Sequence, residues 1–493
     1  MKLLLSIFFA FLSTALANDR PNIIMILADD MPWSGTQVEM IKGLKGSNMP
    51  FRNTPNLDKL SKMGMTFSNA YAAAGMCAPS RTSFQTGTTT IRNRFTGNGN
   101  FGEDGLKKLT YDVRSKSSHR NLVEPYPLGS LNQATTTIGE ALKNEGYKTA
   151  HFGKWHIYGG GPGENGYDEH DGSTSNDEGK AEDKNDPKLM FSMTDSAIDF
   201  MSRQNKAKSP FYCQISHYAE HNPCQSLPAT LEKYMNHPHL KNIESKGDQK
   251  RWAERCAMIE DFDTTIGHIL DFVEKNNLSK NTYIFFTADN GFDRYNEGNE
   301  LLRGSKWWLW EAGIRVPMIV SGPHIEHNSR SDLNVIGYDF LPTFVDLAKG
   351  QPQNLNAIDG TSFKSILHQK NIDSTFTSRA LYFHYPHHRT SAMHSAIIQG
   401  NMKLLYFYEI PDKFFLYNLT KDISERQNLS KQFPEKAKSL FSTLNKYLDE
   451  QQAFMPIVNK NPNPNYVPYD PDKVDLRSTK KGDLNGLALK AAK

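Results

Sequence analysis

Residues 23–30 read Ile-Ile-Met-Ile-Leu-Ala-Asp-Asp, a run of six apolar residues closed by two carboxylates. An unbroken apolar run of this length is typical of a strand that is buried on both faces of a sheet. Residues 283–288 form a similar run, and Asp289 and Asn290 follow it directly. If these two strands are neighbours, their oxygen-bearing side chains converge at the carboxyl edge of the sheet.

The remaining pattern up to about residue 375 alternates between strands and helices. Two more strands are predicted at residues 211–216 and 316–321. Helices are predicted from the Thr54-Pro55 pair, from Thr137 to Gly146, and along the apolar stripe from Met258 to Val273. This alternation predicts an α/β fold with a large, mainly parallel sheet sandwiched by helices.

The pattern changes near residue 375, which predicts a smaller C-terminal α+β subdomain. Its antiparallel sheet is predicted from four short strands, and its final helix from an amphipathic stretch, at residues 381–385, 395–398, 403–407, 414–418 and 434–448. A Pro/Asn-rich and then basic stretch closes the chain and predicts an extended tail. The predicted units are therefore a leader, a large domain, the subdomain and the tail, at residues 1–17, 18–375, 376–455 and 456–493.

The leader has the three parts of a secretory signal peptide. Lys2 supplies a positive start, residues 3–12 are apolar, and Ala15-Leu16-Ala17 is a small-x-small cleavage site. The alternative is an uncleaved anchor. No other stretch approaches the roughly 18 apolar residues of a membrane span, so we expect a secreted or periplasmic protein without stable membrane insertion.

Composition narrows the class of protein without naming a function. The 493 residues are 38% hydrophobic, which argues against wholesale disorder, a collagen-like fibre and a disulfide miniprotein. The 57 basic and 54 acidic residues give a net charge of +3, so nothing global points to nucleic acid. Four cysteines are present, and if Cys77 serves chemistry, the other three allow at most one disulfide, among Cys213, Cys224 and Cys256.

The carboxylates that follow the two apolar strands indicate a metal site. Asp29, Asp30, Asp289 and Asn290 cannot share a dry cleft without a cation. Oxygen ligands of this kind suit Ca²⁺ or Mg²⁺. Either pair taken alone is equally well explained as a cap or turn that ends a strand.

A second chemical motif is Cys77-Ala78-Pro79-Ser80-Arg81, with Thr86-Gly87 after it. A cysteine at the start of a predicted helix, with Arg81 one turn later, suits the binding of an anion such as sulfate or phosphate. Without further context, a disulfide partner or an inert buried cysteine explains Cys77 better.

The order of these motifs supplies that context, because Gly153-Lys154-Trp155-His156 lies between them. Together they resemble the type I sulfatases of the alkaline phosphatase superfamily, with matching stretches from Pro21 to about Gly322. In that family the Cys-x-Pro-Ser-Arg motif directs oxidation of the cysteine to formylglycine (3-oxoalanine), which is present as its hydrate. The resemblance implies the alkaline phosphatase-like fold, a large domain that is catalytic, and a maturation enzyme that modifies Cys77.

The resemblance also assigns site residues one by one. It implies a calcium site, with Mg²⁺ as the alternative, formed by Asp29, Asp30, Cys77 in its modified form, Asp289 and Asn290. It implies a catalytic set that grips the sulfate and moves protons, formed by Cys77, Arg81, Lys154, His156, His221 and Lys306. His217, in the same segment as His221, is the alternative acid for the leaving oxygen and a candidate substrate-binding residue.

These roles also follow chemical need. The hydrated formylglycine is expected to attack sulfur after Asp289 takes its proton, while the cation and the basic side chains neutralise the sulfate oxygens. Protonated His221 is expected to donate to the leaving oxygen, and His156 to take the second hydroxyl proton, which releases sulfate.

Export and the sulfatase resemblance together predict a sulfated polysaccharide, or its oligosaccharides, as substrate. The segment from Phe383 to Arg389 resembles a Tyr-Pro-His segment of carbohydrate-acting members, and we expect His384, His387 and Arg389 to reach the pocket rim. The alternative is a surface turn with incidental histidines.

Aromatic and polar residues near the motifs leave further alternatives open. Trp155, Trp307, Trp308 and Trp310 either stack on sugar faces or pack in the core. Residues 159–188 predict a long polar loop that shapes the pocket without gripping a polyanion. Three other functions remain possible: a phosphate or phosphonate ester hydrolase of the same superfamily, an arylsulfatase for small esters, and a catalytically dead polysaccharide-binding protein.

Overall fold

The computed structural model describes residues 20–98, 119–127, 130–131, 135–180, 182–292, 301–355, 357–388 and 391–473. The predicted signal peptide, Arg389 and the last 20 residues of the predicted tail lie outside the described residues. Within the described residues, the structure contains no helix that is both long enough and apolar enough to cross a membrane.

The strands and helices are numbered in chain order. The strands are β1 Asn22–Ala28, β2 Gly64–Phe67, β3 Ala70–Tyr71, β4 Leu122–Val123, β5 Lys148–Gly153, β6 Glu169–His170, β7 Phe211–Ser216, β8 Thr282–Ala288, β9 Met318–Ser321, β10 Ser329–Ser331, β11 Val335–Ile336, β12 Ala380–Tyr385, β13 His394–Gln399, β14 Met402–Phe407, β15 Phe415–Asn418 and β16 Ile457–Val458. The helices are α1 Pro55–Lys62, α2 Cys77–Thr86, α3 Thr90–Asn93, α4 Ile138–Asn144, α5 Met190–Ala207, α6 Pro228–Met235, α7 Pro238–Lys241, α8 Lys246–Lys275, α9 Glu311–Ile314, α10 Phe340–Leu347, α11 Lys364–Leu367, α12 Ser374–Ser378 and α13 Pro434–Glu450.

An eight-stranded sheet forms the larger part of the molecule, in the order β10-β2-β9-β8-β1-β7-β5-β6. Strand β9 runs antiparallel to β8 and β2, and the other pairs of neighbours are parallel. The central strand β1 is buried along its whole length, as its unbroken apolar run predicts. The predicted mainly parallel sheet is therefore confirmed.

Helices cover both faces of this sheet, because successive side chains of a strand point to opposite faces. Phe285 of β8 packs against Phe344 of α10, with ring centroids 5.0 Å apart. The next residue, Phe286, packs against Phe262 of α8, at 6.2 Å. Thr137 caps α4 with a reciprocal capping box, as predicted. The α/β sandwich is confirmed.

The register of the sheet brings four strand ends to one level. Ala28 at the end of β1 lies opposite Ala288 at the end of β8. Leu27 lies opposite Ser216 of β7, which in turn lies opposite Gly153 of β5. The residues that follow these four strands therefore emerge side by side at one edge, where α/β proteins form their sites.

A second, antiparallel sheet has the order β12-β13-β14-β15, which confirms the predicted small sheet. One face packs against α13, where Leu440 and Leu444 meet Ile397 and Leu404. The other face joins a cluster that contains Trp308, Trp310 and Phe407, so it packs against residues of the first sheet's unit.

Buried charges also link the two sheets. Lys403 of β14 lies 2.8 Å from Glu311 of α9 and 2.8 Å from Glu425. Arg315 donates to the other oxygen of Glu311 at 2.5 Å. All four side chains are buried. Each carboxylate in this cluster is therefore compensated by a cation at hydrogen-bond distance, which is what makes its burial tolerable.

The cysteines form no disulfide: all four lie in described residues and all are free. Cys77, Cys213 and Cys256 are buried, and Cys224 is half-buried. The single bridge that the sequence permits among the last three is therefore not formed.

Candidate active site

An acidic cluster lies at the carboxyl edge of the large sheet, where β1 and β8 end as neighbours. The Asp30 backbone N–H donates to Asp289 Oδ1 at 3.1 Å, and Asn290 Nδ2 donates to Asp30 Oδ1 at 2.7 Å. Asp30 adopts a φ of 59°, a left-handed conformation that Asp tolerates better than most residues. The sharp turn aims the Asp29 and Asp30 side chains into the same buried space.

Cys77 is the first residue of α2 and is fully buried beside this cluster. Its Sγ lies 3.7 Å from Asp30 Oδ1. One ligand atom from each of Asp29, Cys77 and Asp289 lies within 4.8 Å of the others. Burial raises the pKa of the Cys77 thiol to about 12, although Lys154 and Lys306 act in the opposite direction. The unmodified thiol is therefore protonated at neutral pH and a poor nucleophile.

Three basic side chains surround the carboxylates. Lys154 Nζ donates to Asp29 Oδ2 at 2.5 Å, and Lys306 Nζ contacts both oxygens of Asp30 at 2.7 Å. Arg81 Nε donates to Asp289 Oδ2 at 2.8 Å, and its Nη1 donates to the Lys154 carbonyl at 2.5 Å. When all three carboxylates are ionised, the three cations balance their charge.

Burial and neighbouring charges give the carboxylates of the cluster different pKa values. Burial opposes the charged form of Asp29, yet Lys154, His221 and Arg81 together hold the pKa of Asp29 well below its usual range. Burial and the neighbouring charge of Asp29 instead raise the pKa of Asp289 to about 7. Asp289 is thus the carboxylate in this cluster that takes up a proton most readily.

Two of the predicted histidines reach the cluster, and the third does not. His156, two residues after Lys154, has a φ of 53°. Burial lowers the pKa of His156 to about 2, and the charges of Lys154 and Arg81 act in the same direction. His221 Nε2 lies 3.8 Å from Asp30 Oδ2. His217 is fully buried against Phe262 of α8, with ring centroids 4.7 Å apart. The structure therefore places His221, and not His217, at the acidic cluster.

The second nitrogen of His221 defines its tautomer. Nδ1 lies 2.7 Å from the Asn222 carbonyl oxygen, which can only accept a hydrogen bond. Nδ1 therefore carries a proton, and Nε2 is left to face the cluster. The His221 side chain is 24% exposed, so a substrate can reach it from solvent.

A buried ion pair that the sequence does not reveal lies next to the acidic cluster. Asp29 N donates to the Ala219 carbonyl at 2.7 Å, and Glu220 N donates to the Asp29 carbonyl at 2.5 Å. The Glu220 carboxylate receives two hydrogen bonds from Arg52, at 2.7 and 2.9 Å. These contacts fix the backbone of Asp29 relative to the segment that carries His221.

Four polar atoms at the centre of the site have no hydrogen-bond partner within the described residues. All are buried, and they are Asp29 Oδ1, Arg81 Nη2, His156 Nδ1 and Asn290 Oδ1. Buried polar atoms are rarely left unpaired, so such a group points to a ligand. Two of the four are oxygen acceptors that suit a hard cation, and Arg81 Nη2 is a donor that suits an anion. The residues present therefore fit both a calcium ion and a sulfate group.

A cavity of about 250 Å³ adjoins the site, since Met76, the residue before Cys77, forms part of its wall. Its other walls include Glu124, Tyr126, Tyr385 and His387. The predicted approach of His387 to a pocket thus has a structural counterpart. His387 Nε2 is hydrogen-bonded to Thr96 Oγ1 at 2.8 Å, and its Nδ1 lies 3.3 Å from Glu124.

His384 does not face this cavity, which corrects the expectation that it reaches the pocket rim. Its Nδ1 is bonded to Ser395 Oγ at 2.7 Å and its Nε2 to the Phe454 carbonyl at 3.1 Å. Both ring nitrogens are therefore engaged inside the subdomain. The alternation of side chains along β12 explains the difference, because neighbouring strand residues point to opposite faces.

The tryptophans near the motifs also differ in whether they are buried. Trp155, Trp308 and Trp310 are buried in the hydrophobic clusters, so for these three the core-packing alternative is correct. Trp307 is half-buried, with its ring centroid 5.5 Å from Lys306 Nζ.

The polar loop from Gly159 to Lys188 is hydrogen-bonded to the backbone on one side of the site. Trp155 N donates to Thr174 Oγ1 at 2.9 Å, and His156 N donates to the Thr174 carbonyl at 2.8 Å. Lys188 at the end of the loop is buried, and the charges of Asp29 and Asp30 act on its ammonium. The sequence gives no sign of this, because Lys188 lies in a polar, Pro-containing stretch without a motif.

Comparison with known proteins agrees with this geometry. A sulfatase family profile matches residues 21–350, and a profile for the C-terminal part of N-sulphoglucosamine sulphohydrolase matches residues 304–453. A sulfatase of Formosa agariphila is 26% identical over 85% of this chain and 86% of its own length. The N-acetylglucosamine-6-sulfatase of Capra hircus is 29% identical over 71% of this chain, which spans 64% of the goat protein.

Among solved structures, Ps i-CgsB in complex with k-i-k-neocarrahexaose superposes with a TM-score of 0.69 at 22% identity, over 96% of this chain and 98% of that one. This likeness establishes the fold. The family profile covers well over half of the chain and includes every residue of the acidic cluster and its three cations. The chain belongs to the sulfatase family, the sulfuric ester hydrolases of the alkaline phosphatase-like superfamily.

Proposed function

We propose that this protein is an exported, formylglycine-dependent sulfatase that removes sulfate from a sulfated polysaccharide or its oligosaccharides. One observation carries the proposal. Four buried atoms on side chains of the site have no hydrogen-bond partner within the described residues: Asp29 Oδ1, Asn290 Oδ1, Arg81 Nη2 and His156 Nδ1. A sulfate group and a divalent cation satisfy this mixture of acceptors and donors. Export is proposed from the signal-peptide pattern of residues 1–17.

The proposed cation is Ca²⁺, held by Asp29, Asp30, Asp289 and Asn290 beside residue 77. When bound, it neutralises charge on the sulfate oxygens and on the nucleophile. Formylglycine at position 77, when formed, supplies a hydrated aldehyde oxygen as the nucleophile. With the cation present, Lys154 and Lys306 no longer need to compensate Asp29 and Asp30 alone, so their ammonium groups are free to bind sulfate oxygens.

The proton transfers are assigned to three side chains. Asp289, which lies within ligand distance of Cys77 at the end of β8, accepts the proton of the attacking hydroxyl. His221 holds a proton on Nδ1 through the Asn222 carbonyl, and in its doubly protonated form it donates from Nε2 to the leaving oxygen. His156, whose Nδ1 has no hydrogen-bond partner within the described residues, accepts the second hydroxyl proton at that atom.

The carbohydrate part of the proposal rests on the adjoining cavity and on the relatives. The cavity wall includes Tyr126, Glu124 and His387, which combine an aromatic ring with polar groups, as the binding of a sugar requires. The goat relative is named for a sulfated amino sugar. A wall of this mixed composition suits a sugar better than a small aromatic ester, whose pocket would be mainly apolar.

The test is sulfate release from a panel of defined sulfated oligosaccharides, measured beside matched phosphate monoesters and a small aryl sulfate. We expect the highest kcat/KM on a sulfated oligosaccharide. A higher value on the phosphate esters would favour the phosphate or phosphonate ester hydrolase. Activity confined to the aryl sulfate would favour the arylsulfatase. Binding of oligosaccharides without release, and an unmodified Cys77 by mass spectrometry, would favour the dead binding protein.

Replacing His221 by Ala is expected to slow sugar sulfates far more than activated aryl sulfates. An alkoxide leaves poorly without a proton, whereas a nitrophenolate leaves readily, so only the first reaction needs the acid. Loss of one general acid typically costs about 10²- to 10⁴-fold. The measurement is kcat/KM on both substrate classes. His217→Ala is the matched comparison, and equal losses on both classes with His221→Ala would move the acid to another group.

Removing the divalent cation with a chelator is expected to abolish activity and to destabilise the fold. Ca²⁺ at a hundred times its Kd should then restore about 2.7 kcal/mol of stability, because it binds only the folded chain. Thermal unfolding with added Ca²⁺, Mg²⁺ or neither measures the effect. Asp29→Asn should remove most of the gain. Stabilisation by Mg²⁺ but not Ca²⁺ would contradict the choice of cation.

A further inference from the structure

A groove on the C-terminal subdomain lies apart from the active site and has no role in the proposed reaction. It has a volume of about 430 Å³ and lies where the start of β14, the end of β15 and the start of α13 meet. This volume is in the range of small-molecule sites. The wall of this subdomain groove includes two half-buried apolar residues, Met402 and Leu429, and three exposed residues, Lys421, Phe433 and Lys436.

Hydrogen bonds hold one wall of the subdomain groove in place. Leu429 N donates to the Leu416 carbonyl of β15 at 2.7 Å. Asn428 Oδ1 accepts from Leu416 N at 3.1 Å, and Asn428 Nδ2 donates to the Phe414 carbonyl at 3.1 Å. Phe433 N in turn donates to the Leu429 carbonyl at 2.9 Å. The segment that leads into α13 is therefore bonded to the edge strand β15, and the groove is formed without a ligand.

Positive charge exceeds negative charge in the subdomain groove. Lys421 and Lys436 are exposed, and neither forms an ion pair within the described residues. Lys438, two residues further along α13, is by contrast paired with a glutamate of the same helix at 3.0 Å. One acidic side chain, Asp422, lines the groove, and its Oδ2 accepts hydrogen bonds from two backbone N–H groups of the following turn at 2.8 Å. Two ammonium groups thus face the groove with one carboxylate, which already has donors.

Phe433 gives the subdomain groove an aromatic face that solvent reaches. The residue is 46% exposed, and among the five large apolar residues that are exposed in the described part of the chain it is the one aromatic. An aromatic ring packs well against the apolar C–H face of a sugar ring. Gln427 and Gln432 add amide groups, which can donate to and accept from sugar hydroxyls. The groove therefore combines a face for the sugar ring, partners for its hydroxyls and cations for its sulfate groups.

The register of the small sheet separates the subdomain groove from the cavity beside Cys77. Tyr385 lines that cavity and lies opposite His394, which lies opposite Phe407 at the end of β14. Met402, at the start of β14, lines the groove. The strand between these two ends is roughly 17 Å long. A single sugar at Cys77 therefore does not reach the groove, whereas a polysaccharide is long enough to extend beyond the cavity.

We propose that the subdomain groove is a second binding site for a sulfated polysaccharide, and that it holds a stretch of the polymer away from the ester being cleaved. The inference rests on the proposed function, since it takes a sulfated polysaccharide as the substrate. Lys421 and Lys436 bind sulfate groups, and Phe433 packs against a sugar ring. Holding the polymer raises the effective concentration of its esters at the active site. The groove thus lowers KM for the polymer and has no effect on small esters.

The test is affinity electrophoresis of the native enzyme through gels that contain ι-carrageenan, chondroitin sulfate, fucoidan or neutral dextran. We expect at least one sulfated polymer to retard the enzyme, and dextran not to. Lys421→Gln/Lys436→Gln should raise the Kd for that polymer about tenfold at low salt and less at high salt. Lys438→Gln/Lys446→Gln is the matched control, because it removes the same charge from exposed positions of α13, and it should change the Kd by less than about twofold.

Kinetics and two variants of Phe433 separate the groove from the active site. Lys421→Gln/Lys436→Gln should raise KM for the polymer and leave kcat/KM on a small aryl sulfate unchanged. Phe433→Ala should weaken polymer binding about threefold, and Phe433→Trp should retain it, because it keeps an aromatic ring.

Three results would overturn the proposal: equal weakening by the two double lysine variants, no retardation by any sulfated polymer, or equal retardation by dextran. Failure of the proposed function shows instead as absence of sulfate release from small sulfated oligosaccharides by the enzyme without substitutions.

Discussion

Replacing Cys77 by Ser is expected to abolish sulfate release, by about 10³-fold or more, while sulfated sugars still bind. A serine hydroxyl is close in size to the thiol, so the buried start of α2 and the cations around it should keep their positions. Serine has no thiol, so an oxidation that acts on the cysteine thiol leaves its hydroxyl group unchanged. Its sulfate ester has no second hydroxyl from which sulfate can be expelled, and the site would stall after one turnover.

Sulfate release, calorimetric binding and mass spectrometry of the peptide that contains residue 77 measure the three parts of this expectation. Cys213→Ser is the matched control, because Cys213 is also buried but lies inside β7, three residues before the carboxyl end of that strand. We expect its turnover to be near normal. Near-normal turnover by Cys77→Ser itself would eliminate formylglycine from the mechanism.

Replacing Lys403 by Met should produce the largest loss of stability. Lys403 lies between Glu311 and Glu425, 2.8 Å from each, and all three side chains are buried. Methionine fills a similar volume but leaves two carboxylates facing each other with one cation, Arg315, on the far side of Glu311. Breaking a buried ion pair in this way typically costs about 3–5 kcal/mol, and we expect a loss of that size in the free energy of unfolding.

Denaturant unfolding at constant pH and calcium concentration measures this loss as a shift of the midpoint. Lys438→Met, at an exposed pair on α13, is the control and should shift stability by less than 1 kcal/mol. Lys403→Met/Glu425→Gln should recover part of the loss, because it removes one of the stranded charges. A change below 1 kcal/mol for Lys403→Met alone would show that the cluster does not stabilise the junction between the two sheets.

The parts of the fold that the sequence predicts are those in which local pattern and tertiary environment agree. The apolar runs of β1 and β8 predict buried central strands, and both lie at the centre of the sheet. Strand β5 is different, because it includes Thr149 and His151, whose burial depends on partners elsewhere in the chain. His151, for example, is bonded to Ser216 of β7, a contact that no local pattern reveals.

The same distinction applies to the site. The topology of an α/β sheet accounts for site residues that directly follow a strand or lie in the first turns of a helix. These residues are Asp29, Asp289, Cys77 and Arg81. The choice between His217 and His221 depends on how a loop leaves β7, and spacing alone leaves it open. Lys188 lies beyond the reach of pattern analysis, because its burial results from a strained turn between a polar loop and α5.

The burial of Cys77 determines when the proposed modification of its side chain can take place. The side chain has no exposed surface, and it lies at the start of α2 beside the carboxylates that follow β1 and β8. The proposed maturation enzyme has to reach the Cys77 side chain, which is fully buried in the folded chain. If Cys77 is the formylglycine precursor, as proposed, we expect its conversion to precede folding, and molecules that fold first would keep an inactive thiol. The fraction of active molecules in a preparation would then depend on the rate of Cys77 modification relative to the rate of folding during synthesis.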